Sequence, residues 1–138
     1  QEICRNQEKF NLQGGSTALC VLMDPKELHL ANVGDCKAVM IRNGEPVNLN
    51  VEHRANNEKE RKSVESRGGF VFEKKGKNTT RYMVLGSLEL TRSIGDQAYK
   101  KYISCEPDIV DYQIHEDDEY LVLGSDGFWN VITLTNLV

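Results

Sequence analysis

The chain has 138 residues, enough for one domain with a real core, and its 39% apolar and 28% charged content is that of a globular protein. A net charge of −4 argues against a nucleic-acid surface and leaves carboxylates for binding cations. No apolar run approaches membrane-spanning length and no charged start leads into an apolar leader, so the expectation is an intracellular protein, cytoplasmic or nuclear, with no membrane contact.

In chain order, residues 1–13 are polar with Ile3 and Phe10 as scattered anchors, and read as the end of a helix that Gly14-Gly15 punctuates. Ala18 to Met23 is a continuous apolar run, expected to be a central buried strand with Cys20 as a small core residue. Asp24-Pro25 is turn chemistry. Leu28, Leu30 and Val33 continue as a second strand with His29 facing away, and Gly34-Asp35 interrupts it. Ala38 to Ile41 forms a third strand, and Asn43-Gly44 is a strong hairpin signal before Val47 and Leu49. Residues 16–49 therefore read as an antiparallel meander.

Asn57, with Glu60 three residues on, resembles a capping box opening a polar surface helix over 57–67, and Gly68-Gly69 closes it. Phe70-Val71-Phe72 reads as a short strand and Lys74-Lys75-Gly76-Lys77 as a charged loop. Arg92 to Asp96 is an irregular polar turn, and Tyr99 and Tyr102 pack locally. Val110, Tyr112 and Ile114 alternate with polar residues as a half-exposed strand. Tyr120 to Leu123 reads as a short strand buried on both faces, broken by Ser125-Asp126-Gly127. The chain starts without Met and stops as Leu134, Leu137 and Val138 begin a helical spacing behind Thr133 or Thr135, so a piece of a larger domain is expected.

Chemistry has few places to sit. Cys4, Cys20, Cys36 and Cys105 form no CxxC pair, which argues for reduced thiols and against a zinc knuckle. Ser16, Ser93 and Ser125 lack a nucleophile elbow. Three carboxylates, Asp35, Asp96 and Asp126, follow strand ends or glycines. A hard divalent cation wants such oxygen ligands, a few from protein and the rest from water. Asp beside Gly equally suits a plain turn. His29 and His115 stand at outward strand positions, while His53 lies in a loop.

Taken together and in order, Gly15-Ser16-Thr17-Ala18, Ala31-Asn32-Val33-Gly34-Asp35, Glu52-His53, Glu60 through Val64 to Gly68-Gly69, Gly86-Ser87-Leu88 through Arg92-Ser93-Ile94-Gly95-Asp96, Glu106-Pro107-Asp108 and Ser125-Asp126-Gly127-Phe128-Trp129 resemble the metal-dependent protein phosphatases of the 2C type. The resemblance covers essentially the whole chain. It implies an α+β fold, an antiparallel β-sandwich flanked by helices in α/β/β/α layers, incomplete in this chain. Residues 1–138 would be a partial phosphatase domain, with 53–92 as the flap region. The implied activity is hydrolysis of phosphoserine and phosphothreonine in phosphoprotein substrates, with two core Mg²⁺ or Mn²⁺ ions and a weakly held third. Asp126 matches a core metal ligand and Asp35 an aspartate linked to the third ion, with Asn130 as a weaker metal position. His53 and Arg92 match positions for substrate handling or flap positioning, and Asp96 reads as structural.

Two departures follow. The family's upstream segment with the metal-bridging Asp and the general-acid His, its phosphate-gripping Arg and its downstream Asp-Asn motif do not occur in this sequence, so no catalytic residue is expected within it and the isolated chain is expected to be inactive. Asn130 stands where many members carry an Asp, which removes a charge from the third-metal position. The alternative to a phosphatase is a pseudophosphatase, the same fold serving as a protein-binding or scaffold module.

Overall fold

The computed structural model describes residues 2–77 and 79–134. In chain order the elements are α1 (Glu2–Lys9), β1 (Gly15–Ser16), β2 (Ala18–Met23), β3 (Glu27–Val33), β4 (Lys37–Arg42), β5 (Glu45–Asn48), α2 (Glu58–Ser66), β6 (Val71–Lys75), β7 (Thr80–Val84), β8 (Ile94–Gly95), a 3-10 turn Gln97–Tyr99, β9 (Asp108–Gln113), β10 (Asp118–Gly124) and α3 (Asp126–Trp129). All strand pairs are antiparallel. The chain divides into two units, Gln1–Thr17 with His53–Glu106, and Ala18–Glu52 with Pro107–Val138.

The second unit is a two-sheet sandwich. One sheet has the order β2-β3-β9 and the other β10-β4-β5. The meander expected over residues 16–49 is thus two hairpins in different sheets, because the chain crosses from β3 to β4 at Gly34-Asp35-Cys36 instead of turning back to pair. The apolar pattern explains the crossing. Leu28 and Leu30 of β3 pack face to face with Ala38 and Met40 of β4 and with Leu49. Burying each of the two leucines is worth about 1.5–3 kcal/mol, and a flat continuation of one sheet would leave those side chains on a face with no partner. Asn43 and Gly44 both take positive φ, +50° and +72°, the turn that the twist of a two-residue hairpin requires.

The strands expected to be buried on both faces are edge strands. Leu22 and Met23 of β2 are 70% and 68% exposed, and Tyr120 and Leu123 of β10 are 68% and 46% exposed. Cys20 is exposed as well, not a core residue. Among the described residues each of these strands has one neighbour in its sheet. The central positions belong to β3, whose alternating sequence conceals that, and to β4, whose run Ala38 to Ile41 is buried throughout.

In the first unit, Asn57 caps α2 by accepting from the backbone N–H groups of Lys59 and Glu60. Only half of the expected capping box forms, since Glu60 turns inward to other partners. Val64 is the buried apolar residue of α2, and it joins Ala55, Val84 and Ile103 in a small core flanked by Tyr99 and Tyr102. Lys74 and Lys75, expected in a loop, continue β6 and pair with Arg81 and Thr80 of β7. Ile94-Gly95, expected in a turn, pairs with Gly15-Ser16. The residues Thr135, Leu137 and Val138 of the expected last helix lie outside the described residues.

Candidate metal centre

The register of β10 against β4 ends with Gly124 opposite Lys37. Asp126 follows Gly124 by two residues and Asp35 precedes Lys37 by two, so both acids leave the same end of the same strand pair. The register of β9 against β3 ends with Asp108 opposite Asn32, at the end of β3 that runs into Asp35. One end of the sandwich therefore gathers Asp35, Asp108 and Asp126. The sequence reading gave Asp108 no role at this end.

Asp35 is buried, with 8% of its surface exposed. Two amide side chains fix the backbone around it. The Asn32 side chain donates to the Gly34 carbonyl at 3.0 Å and to the Val51 carbonyl at 3.4 Å. Asn50 accepts from the Ala38 N–H at 2.7 Å and donates to the Cys36 carbonyl at 2.9 Å. Gly34 takes a φ of +104°, which a side chain would strain. The Oδ1 atom of Asn32 is buried without a protein partner in the described structure.

Asp126 is exposed at the first position of α3, preceded by Ser125 in extended conformation. What holds α3 in place is Trp129. Its indole N–H is shared between the Gly124 carbonyl at 2.9 Å and the Lys37 carbonyl at 3.2 Å, and the Lys37 ammonium lies 5.1 Å from the ring centre. A Cβ on Gly124 would fall 2.8 Å from the indole nitrogen and 2.9 Å from the Phe128 ring, so only glycine admits the tryptophan. The Asn130 N–H closes on the Asp126 carbonyl at 2.8 Å, which puts the exposed Asn130 one turn beyond the acid. The donors at this end are carboxylate and amide oxygens, the set suited to Mg²⁺ or Mn²⁺ in preference to a soft ion. The residues present fit such an ion.

His53 and Arg92 lie in the other unit. His53 is fully buried, and its carbonyl accepts from the Thr91 N–H at 2.9 Å. Arg92 grips Glu60 through Nε at 3.0 Å and Nη2 at 2.6 Å, and Nη1 donates to the Glu106 carbonyl at 2.9 Å. Thr91 adds a hydroxyl donor to Glu60 at 2.7 Å. Burial pushes the Glu60 carboxyl up, but the hydrogen bonds from Arg92 and Thr91, with the charges of Arg92 and His53, hold it below the usual carboxylate value. Asp96 sits at a φ of +51° with its carboxylate over Gly15, where a Cβ would lie 2.0 Å from Oδ2. Sequence reasoning missed the anchors Asn50 and Trp129. A glycine at the strand end five residues before a tryptophan was the available signal for the latter.

A family model described as protein phosphatase 2C matches residues 1–138. Probable protein phosphatase 2C 58 of Arabidopsis thaliana is 43% identical over 122 residues, covering 88% of this chain and 41% of that protein. Probable protein phosphatase 2C 62 of Oryza sativa subsp. japonica is 42% identical over 125 residues, again 88% of this chain and 41% of the relative. Among solved structures, a sex-determining protein of C. elegans superposes with a TM-score of 0.85 at 33% identity, over 96% of this chain and 32% of that one. The serine-threonine phosphatase 2C of Toxoplasma gondii has the same fold, with a TM-score of 0.84 at 21% identity over 98% of this chain and 49% of that one. The chain thus spans about two fifths of the length of the curated relatives it matches.

Proposed function

Because this chain belongs to the protein phosphatase 2C family, a family of metal-dependent hydrolases, we propose that the full-length protein hydrolyses phosphoserine and phosphothreonine in intracellular phosphoproteins with two core Mg²⁺ or Mn²⁺ ions. The observation that carries this reading is the β4–β10 register, which brings Asp35 and Asp126 to one end of a rigid strand pair. Asp126 is the core ligand: it stands exposed beyond the strand end, on a turn that Trp129 pins to both strands. Asp35 is the ligand of a weaker third ion, held by a backbone that Asn32 and Asn50 fix. Asn130, one turn after Asp126, offers a neutral oxygen there and weakens that third position. When bound, the ions supply a water acidic enough to act near neutral pH and neutralise charge on the phosphoryl oxygens. The chain's own part is to set where oxygen ligands stand, and strand ends do this with less freedom than a loop.

The flap, residues 53–92, carries the pair Glu60–Arg92 in a positioning role, since the guanidinium is committed to Glu60 and to the Glu106 carbonyl. Two acids do not complete a binuclear site, so the 138-residue chain by itself is expected to show no turnover. The test is phosphopeptide hydrolysis by the full-length protein with Mn²⁺, with chelator, and with Asp126→Ala. Turnover that needs Mn²⁺ and falls by at least a hundredfold in the variant supports the reading. Turnover indifferent to chelation, or full activity in Asp126→Ala, refutes it. A protein that binds phosphoproteins without hydrolysing them is the scaffold alternative.

A further inference from the structure

A second constellation of metal-ligating side chains lies at the opposite end of β3 from Asp35. It is built from Asp24 in the turn before β3, and from Glu27 and His29 on the strand. The donor atoms of these three side chains all lie within 4.8 Å of one another. His29 Nε2 is 4.0 Å from Asp24 Oδ2 and 3.7 Å from Glu27 Oε2. Tetrahedral Zn²⁺, at about 2.0–2.2 Å from N and O ligands, places its donors roughly 3.3–3.5 Å apart. The two His29 spacings close to that value with shifts well under about 1 Å and the Asp24–Glu27 pair, within 4.8 Å, with about 1.5 Å or less, which partly exposed side chains reach by turning about single bonds.

Each side chain has one polar atom tied and the other turned toward the common point. Asp24 Oδ1 accepts from the N–H groups of Lys26 and Glu27 at 2.8 and 2.9 Å, leaving Oδ2 for the site. Glu27 Oε1 accepts from the side chain of Gln113, leaving Oε2. His29 Nδ1 bonds Asp111 Oδ1 at 2.7 Å, across the β3–β9 pair in which His29 and Asp111 are direct partners. A carboxylate on Nδ1 holds the proton there and turns the Nε2 lone pair outward, as behind metal-bound histidines in general. Four hydrogen bonds, two within the turn into β3 and two across to β9, thus present one nitrogen and two oxygens to one point, on an exposed face where water can complete the coordination.

We propose that Asp24, Glu27 and His29 form a surface site for a borderline transition metal, of which Zn²⁺ is the natural probe, separate from the Asp35–Asp126 end and independent of its reading. An imidazole nitrogen in the donor set selects Zn²⁺, Co²⁺ or Ni²⁺ over Mg²⁺ and Ca²⁺. Asp111 is a positioning residue that acts through His29. The competing arrangement is an ion-pair cluster, with a protonated His29 among three carboxylates and no metal.

The experiment titrates Zn²⁺ into the full-length protein by calorimetry with saturating Mg²⁺, which occupies hard oxygen sites, while the ring nitrogens of His29 are followed by NMR. The expected result is one Zn²⁺ equivalent that shifts the Nε2 resonance of His29. His29→Gln and Asp24→Asn should each weaken that equivalent at least tenfold. Asp24→Asn keeps the Oδ1 acceptor of the turn, so it tests the free oxygen without unmaking the fold. Asp111→Ala should weaken it by about ten- to a hundredfold. Zn²⁺ stoichiometry and affinity unchanged in both His29→Gln and Asp24→Asn, or an Nε2 resonance that ignores Zn²⁺, would overturn the proposal in favour of the ion-pair cluster.

Discussion

Replacing Arg92 by alanine separates a structural from a substrate-binding role for that residue. The Glu60 side chain is 5% exposed and that of Arg92 12% exposed. Removing the guanidinium leaves a buried carboxylate that still accepts from the Thr91 hydroxyl. Breaking a buried ion pair from one side costs about 3–5 kcal/mol. The residual exposure of the arginine puts this case near the lower bound, about 3 kcal/mol, a large fraction of the 5–15 kcal/mol that about holds a domain together. With a urea slope of about 1–3 kcal/mol per M, the unfolding midpoint at pH 7 should fall by roughly 1–3 M. The pH dependence follows from the sign of the Glu60 shift. In the wild type the folded pKa is depressed, so its stabilisation is present above the unfolded value near about 4.3 and is lost as pH falls through the lower folded one. In Arg92→Ala, burial dominates and raises the folded pKa, so the penalty is relieved as pH falls through that raised value. The difference between the two proteins should therefore shrink from pH 7 to pH 4. Hydrogen exchange of the α2 amides at both pH values localises the loss. An unchanged midpoint with a raised KM for phosphopeptide would refute the structural argument and make Arg92 a substrate residue.

Gly124→Ala should cost about 1–3 kcal/mol by overpacking against Trp129 and Phe128, with a red-shifted tryptophan emission as the local readout. Asp118→Ala should also destabilise. Burial raises this carboxyl, but the His115 N–H, Arg42 and Tyr112 hold it below the ordinary value, so its contribution is present above the unfolded pKa and disappears as pH falls through the lower folded one. A urea midpoint that stays put at pH 7 would refute that. Gly15→Ala should destabilise more than Gly14→Ala placed in the same protein, because the new methyl meets the Asp96 carboxylate in the first case and open space in the second, although Gly14 adds strain at a φ of +109°. Comparing the two thermal midpoints tests which effect dominates.

Local chemistry was legible in the sequence where one or two residues decide it. Asn43-Gly44 marked its hairpin, Asn57 its cap and Gly68 the end of α2, since each depends on a φ sign or a side-chain acceptor within a few residues. The Leu28, Leu30 face was readable from its period. What failed was partnership at a distance. Whether β3 pairs with β4 or packs on it is decided by Asp108–Gln113 and Asp118–Gly124, which fill the places beside them from far down the chain. At the metal end, the acids were readable as acids beside glycine, but their shared location exists only in the register. The inward turn of Glu60 was invisible for a similar reason, since its partners lie 31 and 32 residues away.

Two of the three acids at the candidate metal end, Asp35 and Asp126, are held in different ways, and this orders how they should respond to change. Asp35 is buried in a crossover whose carbonyls and N–H groups are tied by Asn32 and Asn50, so its position is set by backbone hydrogen bonds. Asp126 is exposed, and its position depends on an apolar side chain, Trp129, docked across two strand ends. A ligand held by a buried network is costly to move and tolerates little alteration of that network. A carboxylate on a short exposed helix moves when the side chain that docks the helix moves. A core ion that needs a firm ligand from Asp126 therefore depends on the Gly124–Trp129 contact as much as on the carboxylate itself. Disturbing that contact should weaken metal affinity without touching a ligand, whereas the same disturbance should leave the Asp35 crossover in place.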